Sequence, residues 1–184
     1  IRQDHVGASI AFQEAIKINP DNAQTHLLLG VSADAQEDWD SAVDAYDEAL
    51  RLVPDYEDAY VYLSETLCQK GDDDDAIEML QEAIDKKIET DRIYGCLGRA
   101  YANKKEIDTA IGHFRQAIEL NADSYDGHID LGNALLNNKE FLAALEEYRI
   151  ALKLAPDNTD LQQWITNLEQ QLSSSGDHEK RPGG

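Results

Sequence analysis

The sequence contains few cysteines and none of the spacings that give cysteine a metal-binding role. Its two cysteines, Cys68 and Cys96, are too few for the disulfide framework of a small secreted domain. No CxxC pair or Cys/His cluster is present, so we predict no zinc site and no other metal site. We expect both thiols to be free, because the repeat described below places them at different heights on neighbouring helices.

Basic residues are also scarce. Lys and Arg number 16 against 37 Asp and Glu, which gives a formal net charge of −21 and a pI of about 4.3. Because phosphate binding requires a basic surface, we expect no nucleic-acid partner and no attraction to anionic membranes. Solvation of the surface accounts for the acidic charge, and a basic protein partner is the alternative.

Long apolar runs are missing as well. No stretch approaches the roughly 20 apolar residues that span a bilayer, so we expect no insertion into a membrane. The chain opens at Ile1 within a repeat and shows no charged-then-apolar leader. We interpret it as a fragment or a processed piece, and we favour a cytoplasmic location.

What the sequence does contain is an internal repeat of 34 residues without a slip. The repeated positions are Leu29, Leu63, Leu97 and Leu131; Gly30, Ser64, Gly98 and Gly132; Ala42, Ala76, Ala110 and Ala144; and Ala49, Ala83, Ala117 and Ala151. A period of this length is typical of stacked helical hairpins, each of which buries its apolar face only against its neighbours.

Apolar residues at three- and four-residue steps predict two amphipathic helices in each unit. The first helices are predicted at about 23–35, 57–69, 91–103 and 125–137, and the second helices at about 39–52, 73–86, 107–120 and 141–154. One more helix, at about 4–18, precedes them. We expect four aspartates to cap the helices that follow them: Asp21, Asp55, Asp123 and Asp157.

Small side chains predict a close approach of the two helices in a unit. We expect Gly30 and its equivalents to face Ala42 and its equivalents across each hairpin. A larger side chain at either position would overpack the contact, at a cost of roughly 1–3 kcal/mol. A large residue in each second helix is expected to fill the space between units, namely Tyr46, Leu80, Phe114 and Tyr148.

This pattern resembles the tetratricopeptide repeat (TPR) family, whose motif combines a large residue, Leu-Gly, alanines, an aromatic residue and proline. The first full unit matches that motif with His26, Leu29, Gly30, Ala33, Ala42, Tyr46, Ala49 and Pro54. The second unit departs most, since Ser64 replaces the glycine, Leu80 the aromatic residue and Ile88 the proline. The resemblance implies an all-α fold, a right-handed α-solenoid of antiparallel helix pairs.

The resemblance also divides the chain into units. Residues 1–20 correspond to the second helix of a truncated repeat, and residues 21–156 to four full repeats (about 23–56, 57–90, 91–124 and 125–158). Residues 157–172 are expected to form a capping helix and residues 173–184 a disordered tail. Because the helix in residues 1–20 lacks its partner, we expect it to fray or to pair with a second copy in a homo-oligomer.

The sequence lacks catalytic patterns. It contains no HExxH, nucleophile elbow, P-loop or EF-hand spacing, so we predict no catalytic residue, no cofactor and no enzyme activity. His26 and His128 occupy a position where the TPR motif has a bulky residue, and we expect them to pack in the interior. The acidic run at 72–75 is expected to begin a solvated helix, where carboxylates offset the helix dipole.

In stacked hairpins of this type, the first helices line a concave surface. Steps of 34 residues along them predict a peptide-binding groove of apolar, amide and charged side chains. Its candidate residues are Leu27, Val31, Val61, Glu65, Arg92, Arg99, Asn103, Ile129, Asn133 and Asn137. Asparagine can donate to and accept from an extended backbone. The arginines either hold a ligand carboxylate or form ion pairs between units, with Asp58, Asp126 and Glu65 as partners.

These features predict a non-enzymatic scaffold or adaptor that binds a protein or peptide segment with about micromolar affinity. A basic partner is favoured if the acidic outer face takes part in binding. Two alternatives stay open. The array is a targeting or substrate-recognition arm of a larger enzyme or assembly complex, or it is a self-assembling scaffold that uses the unpaired first helix.

Overall fold

The computed structural model describes residues 2–178, and within that range the secondary structure is helical without strands. The helices are α1 (Arg2–Ile18), α2 (Ala23–Asp34), α3 (Trp39–Leu52), α4 (Glu57–Lys70), α5 (Asp73–Asp85), α6 (Asp91–Asn103), α7 (Ile107–Leu120), α8 (Tyr125–Asn137), α9 (Phe141–Leu154) and α10 (Thr159–His178). The ends of α2 to α9 agree with the predicted ends to within one residue.

The order of contacts between helices defines a solenoid. Each helix packs against the next one along the chain, and the first helices α2, α4, α6 and α8 also contact one another in succession. Among the described residues, no two second helices (α1, α3, α5, α7 and α9) are in contact. The first helices therefore lie on the concave side of the array, and the second helices spread apart on the convex side. The predicted all-α solenoid of helix pairs is confirmed.

A residue in the left-handed conformation closes each turn between a first and a second helix. The positive φ angles occur at Glu37 (62°), Gly71 (87°), Lys105 (65°) and Lys139 (65°). In each turn the next amide binds a carbonyl of the first helix, as Asp38 N does with Ala33 O at 3.0 Å. Glycine adopts this conformation without steric cost, but three of the four turns use a residue with a side chain. The left-handed conformation costs such a residue roughly 1–2 kcal/mol.

The first helices α2, α6 and α8, together with α10, are capped by the residue directly before the helix, whereas Tyr56 before α4 makes no side-chain cap. Side-chain oxygens of Asn22, Thr90, Ser124 and Asn158 accept hydrogen bonds from backbone N–H groups three residues on. The predicted capping role of Asp21 and its equivalents is therefore wrong. The capping residue has an extended backbone and directly precedes the helix, as Asn22 does with φ −93° and ψ 94°.

In three of the four units, the glycine of the first helix lies against the aromatic ring of the second helix. A Cβ atom would lie 2.4 Å from that ring at Gly30 and Gly98, and 2.7 Å from it at Gly132. In the second unit the residues at these two positions change together, to Ser64 and Leu80. Both are almost fully buried, and the Ser64 hydroxyl donates to the Val61 carbonyl at 2.8 Å.

The two ends of the array differ in how their apolar residues are covered. Ala15 of α1 is exposed, whereas its equivalents in the complete units are buried. At the other end, α10 packs Leu161, Ile165 and Leu168 into the last core and leaves Gln162 exposed.

Helix α10 also extends past its predicted end at residue 172, as far as His178. The hydroxyls of Ser173 and Ser174 donate to carbonyls of the preceding helical turn, and the next proline along the chain is Pro182. The first part of the predicted tail is therefore helical. Residues 179–184 of that tail lie outside the described residues.

Candidate peptide-binding groove

Two adjoining cavities lie in the concave surface between the first helices α4, α6 and α8. The first cavity, of about 380 Å³, is lined by residues toward the carboxyl ends of these helices. The second cavity, of about 520 Å³, is lined mainly by residues toward their amino ends. Glu65, Arg99 and Asp130 line both cavities, so the two form one trough across three units, here named the central groove.

The structure brings most of the predicted groove residues together. The first cavity is lined by Glu65, Arg99, Asn103, Asn133 and Asn137, and the second by Val61, Glu65, Arg92, Arg99 and Ile129. Leu27 is different, because it is only 3% exposed and packs in the core around α2. Its side chain lies between neighbouring helices and is not a groove residue. Val31 of α2 is exposed, but it lies outside both cavities.

Both arginines of the central groove are paired with carboxylates of other units. The Arg92 guanidinium lies 2.5 Å from the Asp58 carboxylate on α4. The Arg99 guanidinium bridges two helices, at 3.2 Å from Glu65 of α4 and 2.9 Å from Asp130 of α8. Of the two roles predicted for these arginines, the geometry supports ion pairing between units.

Burial controls the protonation of the most enclosed carboxyl group of the groove. It raises the pKa of Asp130, an effect that the Arg99 guanidinium opposes and the nearby Asp126 carboxylate strengthens. These two aspartates lie one helical turn apart on α8 and line the second cavity. Asp130 therefore takes up a proton at higher pH than a solvent-exposed aspartate does.

Two thiols line the first cavity, and both belong to free cysteines. Burial raises the pKa of Cys68 to about 12, and hydrogen bonding to Asp73 acts in the same direction. Burial also raises the pKa of Cys96. Both thiols are protonated near neutral pH and are therefore poor nucleophiles.

Several residues of the central groove were not among the sequence candidates. They include Tyr62, Asp91, Asp126 and Asp130, all of which line the second cavity, and of these Asp126 was expected only as an ion-pair partner of an arginine. A sequence signal for two of them existed on α8. Residues three and four apart share one face of a helix, and Asp126, Asp130, Asn133 and Asn137 follow that spacing.

Two of the predicted groove asparagines already bind groups of the chain itself. The Tyr148 hydroxyl donates to Asn133 Oδ1 at 2.8 Å, and Asn103 Nδ2 donates to the Asp73 carboxylate at 2.9 Å. In each side-chain amide, one of the two polar groups is occupied by this bond, and the bond fixes the direction of the other. A ligand would meet the Nδ2 group of Asn133 and the Oδ1 atom of Asn103.

The two equivalent histidines have structural roles. His26 and His128 are 8% and 4% exposed. The Nε2 atom of each binds a loop carbonyl six residues earlier, that of Pro20 at 2.8 Å and that of Ala122 at 3.0 Å. His128 also contacts the Glu147 carboxylate through Nδ1 at 2.6 Å. The predicted interior packing of both histidines is confirmed.

Metal binding and membrane spanning can be examined for the same part of the chain. Among residues 2–178, no three or more His, Cys, Asp or Glu side chains are grouped so that they could hold a metal ion. None of the helices in this range has both the length and the apolarity needed to cross a bilayer.

Stacked 34-residue hairpins with a concave row of first helices define the class of protein as a TPR solenoid. The chain belongs to the tetratricopeptide repeat family, whose fold is a protein-interaction scaffold. Residues 3–126 match the family described as the cytochrome c-type biogenesis protein H TPR domain, and residues 97–159 match a general tetratricopeptide repeat family. A search of curated proteins gave no match.

Solved structures with the same fold include other TPR proteins. TTC0263 of Thermus thermophilus is 21% identical, with a TM-score of 0.75 over 92% of this chain and 100% of that one. MamA is 23% identical, with a TM-score of 0.70 over 86% and 92%. YrrB, described as a TPR protein with an unusual peptide-binding site, is 22% identical, with a TM-score of 0.62 over 82% and 78%. At these identities the likeness shows the fold alone.

Proposed function

We propose that this protein is a non-enzymatic scaffold whose central groove binds an extended segment of a protein partner. The observation that supports this most is the continuous trough across α4, α6 and α8. Its cavities of about 380 and 520 Å³ are each large enough to take side chains of a ligand. The alternation of apolar and polar lining residues suits a segment with both kinds of side chain.

The polar groups of the groove suit an extended backbone in particular. An extended segment leaves its N–H and C=O groups unpaired, and each needs a partner when it leaves water. The oriented amides of Asn103 on α6 and Asn133 on α8, together with Asn137, line the first cavity. We expect a dissociation constant in the micromolar range, because the groove has few deep anchors. This corresponds to a binding free energy of about −8 kcal/mol.

Gly95 offers a way to block the groove without disturbing α6. A Cβ atom at this position would contact only the Arg99 guanidinium, at 3.7 Å, so a larger side chain can extend into the second cavity. The experiment selects short peptides from a random phage-displayed library and measures their binding by fluorescence anisotropy. Gly95→Leu is expected to weaken binding by about tenfold or more, equivalent to about 1.4 kcal/mol.

Gly112→Leu is the matched control for this blocking variant. Gly112 lies exposed on the second helix α7, and a Cβ atom there would meet nothing within 4 Å. Peptide affinities of this variant should equal those of the parent protein. Peptides that bind Gly95→Leu as tightly as the parent, or a library from which nothing is enriched, would contradict the proposal.

A second candidate function, self-association, is supported by exposed apolar residues on α1. Val6 and Ile10 are 48% and 57% exposed, and Ala15 is exposed where its equivalents are buried. Helix α10 of another copy is a poor partner, because Thr166 takes the position equivalent to Gly30, where a ring must approach closely. Pairing of α1 with α1 of a second copy is the arrangement that we propose.

Sedimentation velocity over a range of protein concentrations tests this self-association. The parent protein is expected to show a monomer–dimer equilibrium, and Ile10→Glu is expected to shift it fully to monomer, because a buried unpaired carboxylate is costly. This function would be excluded if the parent protein stays monomeric up to about 100 μM. The free energy of dimerisation would then be weaker than about −5 kcal/mol.

A further inference from the structure

The second cavity of the central groove has more carboxylates than its arginines balance. It is lined by Glu65, Asp91, Asp126 and Asp130, against Arg92 and Arg99. The charge of Arg92 is partly balanced by two carboxylates that do not line the cavity, those of Asp58 at 2.5 Å and Glu57 at 3.5 Å. The cavity therefore carries a local excess of negative charge, independent of the charge of the outer face.

Two of these carboxylates are placed where a cation would lower their mutual repulsion. Asp126 is exposed at the rim of the cavity, and Asp130 lies one helical turn further along α8. One oxygen of Asp130 accepts from Arg99, which leaves the other oxygen for a further donor. An ammonium or guanidinium group between the two aspartates would interact with both carboxylates.

Part of the wall of this cavity is apolar. Val61 of α4 and Ile129 of α8 line it on two sides, and Gly95 and Ala117 leave its floor free of larger side chains. A small inorganic cation gains nothing from such walls. A lysine or arginine side chain has methylene groups for the apolar surface and a cationic head for the carboxylates. Tyr62 also lines the cavity, and its ring can attract a cation.

We infer that the second cavity binds the side chain of a lysine or arginine from the extended segment. This inference rests on the proposed function, because it names the chemistry of the segment that the central groove takes. A carboxylate of the ligand would have to displace Asp58 from Arg92, or Glu65 and Asp130 from Arg99. The bound segment therefore carries a basic residue where it crosses α6 and α8.

The test uses the peptides selected on the parent protein together with one pair of variants. Asp126→Asn removes a carboxylate from the cavity rim. Asp160→Asn is the matched control, since Asp160 is the residue equivalent to Asp126 in α10, is exposed, and lies outside both cavities. We expect the selected peptides to share a lysine or arginine at a fixed position, and replacement of that residue by norleucine to weaken binding about tenfold. Asp126→Asn should weaken the basic peptide about threefold to tenfold, leave the norleucine peptide unchanged, and reduce the salt dependence of binding.

The outcomes separate this inference from the proposed function. Peptides that lack a shared basic residue but lose affinity for Gly95→Leu would overturn the inference and leave the groove function in place. Equal weakening by Asp126→Asn and Asp160→Asn would also overturn it, because the effect would then come from overall charge. Peptides indifferent to Gly95→Leu would overturn the proposed function itself.

Discussion

At the residue scale, the carboxylate of Asp34 links two repeat units. It accepts hydrogen bonds from the Tyr46 hydroxyl of its own unit at 2.5 Å and from the Thr66 hydroxyl of the next unit at 2.8 Å. Burial raises the pKa of Asp34, and the two hydrogen bonds oppose this rise. The native state therefore holds a proton at Asp34 more tightly than the unfolded chain does.

This pKa shift predicts a pH dependence of stability with a definite sign. A raised native pKa contributes stability that is full below the unfolded value of 3.8 and is lost as pH rises through the native value. Asp34→Asn removes the titration. The free energy of unfolding of the variant, minus that of the parent, is therefore expected to increase between about pH 4 and pH 7. Urea unfolding curves across this range measure the difference.

Asp40 supplies a comparison of the opposite sign. Its pKa is lowered by hydrogen bonding to Lys70 and by the charge of that ammonium group. The parent gains stability from Asp40 as pH rises, so the same difference measured for Asp40→Asn should decrease with pH. If both differences change in the same direction, the assignment of these shifts is incorrect.

The contact of Gly98 with the Phe114 ring predicts a compensating pair of substitutions. Gly98→Ala would place a Cβ atom 2.4 Å from the ring and is expected to destabilise by about 1–3 kcal/mol. Adding Phe114→Leu recreates the combination of a small side chain and leucine found at Ser64 and Leu80. The double variant should lose less unfolding free energy than the two single variants together, by about 0.5–3 kcal/mol. A double-mutant cycle of urea unfolding curves measures this difference. Additive effects would show that the ring does not set the size limit.

At the scale of the elements, the turn between the two helices of a unit requires one residue with a positive φ angle. In most units this residue is not glycine. Lys139 has φ 65° and Gly71 has φ 87° at equivalent positions. Lys139→Gly is expected to stabilise the protein by up to about 1 kcal/mol, because it relieves the left-handed strain. Gly71→Ala should destabilise it by a similar amount. Urea midpoints that shift in the same direction for both variants would contradict this account.

The second helices also differ in the size of the side chain at one equivalent position. The equivalent residues are Ala45, Met79, His113 and Glu147. Met79 packs beside two cores, His113 stacks on Tyr101 at 5.2 Å between centroids, and Glu147 binds His128. Ala45 fills the least space, and a cavity of about 570 Å³ lies here between α1, α2 and α3.

Filling this cavity should stabilise the first unit. Ala45→Met copies the side chain of the second unit and is expected to add about 1 kcal/mol from buried apolar surface. Ala49→Met is the control, because Ala49 is fully buried and a larger residue there should cost about 1–3 kcal/mol. Urea unfolding with an unchanged m-value is the measurement. A lower midpoint for Ala45→Met would show that this space cannot accept a side chain.

At the scale of the whole molecule, each helix is stabilised by contacts with the helices adjacent to it in the array. Each helix contacts those beside it in the array, so the end helices have fewer stabilising partners than the central ones. Amides of α1 are therefore expected to exchange with solvent faster than those of α6, by about tenfold or more. Hydrogen exchange measured by mass spectrometry tests this, at low protein concentration to avoid dimers. Equal protection of α1 and α6 would mean that α1 is covered.

The sequence determined the helices and their arrangement, because both depend on short-range patterns repeated at a constant spacing. Apolar steps of three and four residues set the bounds of α2 to α9, and the 34-residue period required neighbouring units to share a core. The interior positions of His26 and His128 followed from the resemblance to the TPR motif, which has a bulky residue there.

The tertiary structure decided which of the predicted contacts between units form and added others: the 34-residue steps had offered Asp58 and Glu65 as partners of the arginines, but not Asp130. The curvature of the array brings Glu65, Arg99 and Asp130 from three first helices to one point, and no local pattern encodes that angle. It also buries Leu27 while leaving Val31 exposed, although both follow the same predicted face. The acidic second cavity arises in the same way, because its charge depends on which carboxylates the neighbouring arginines reach.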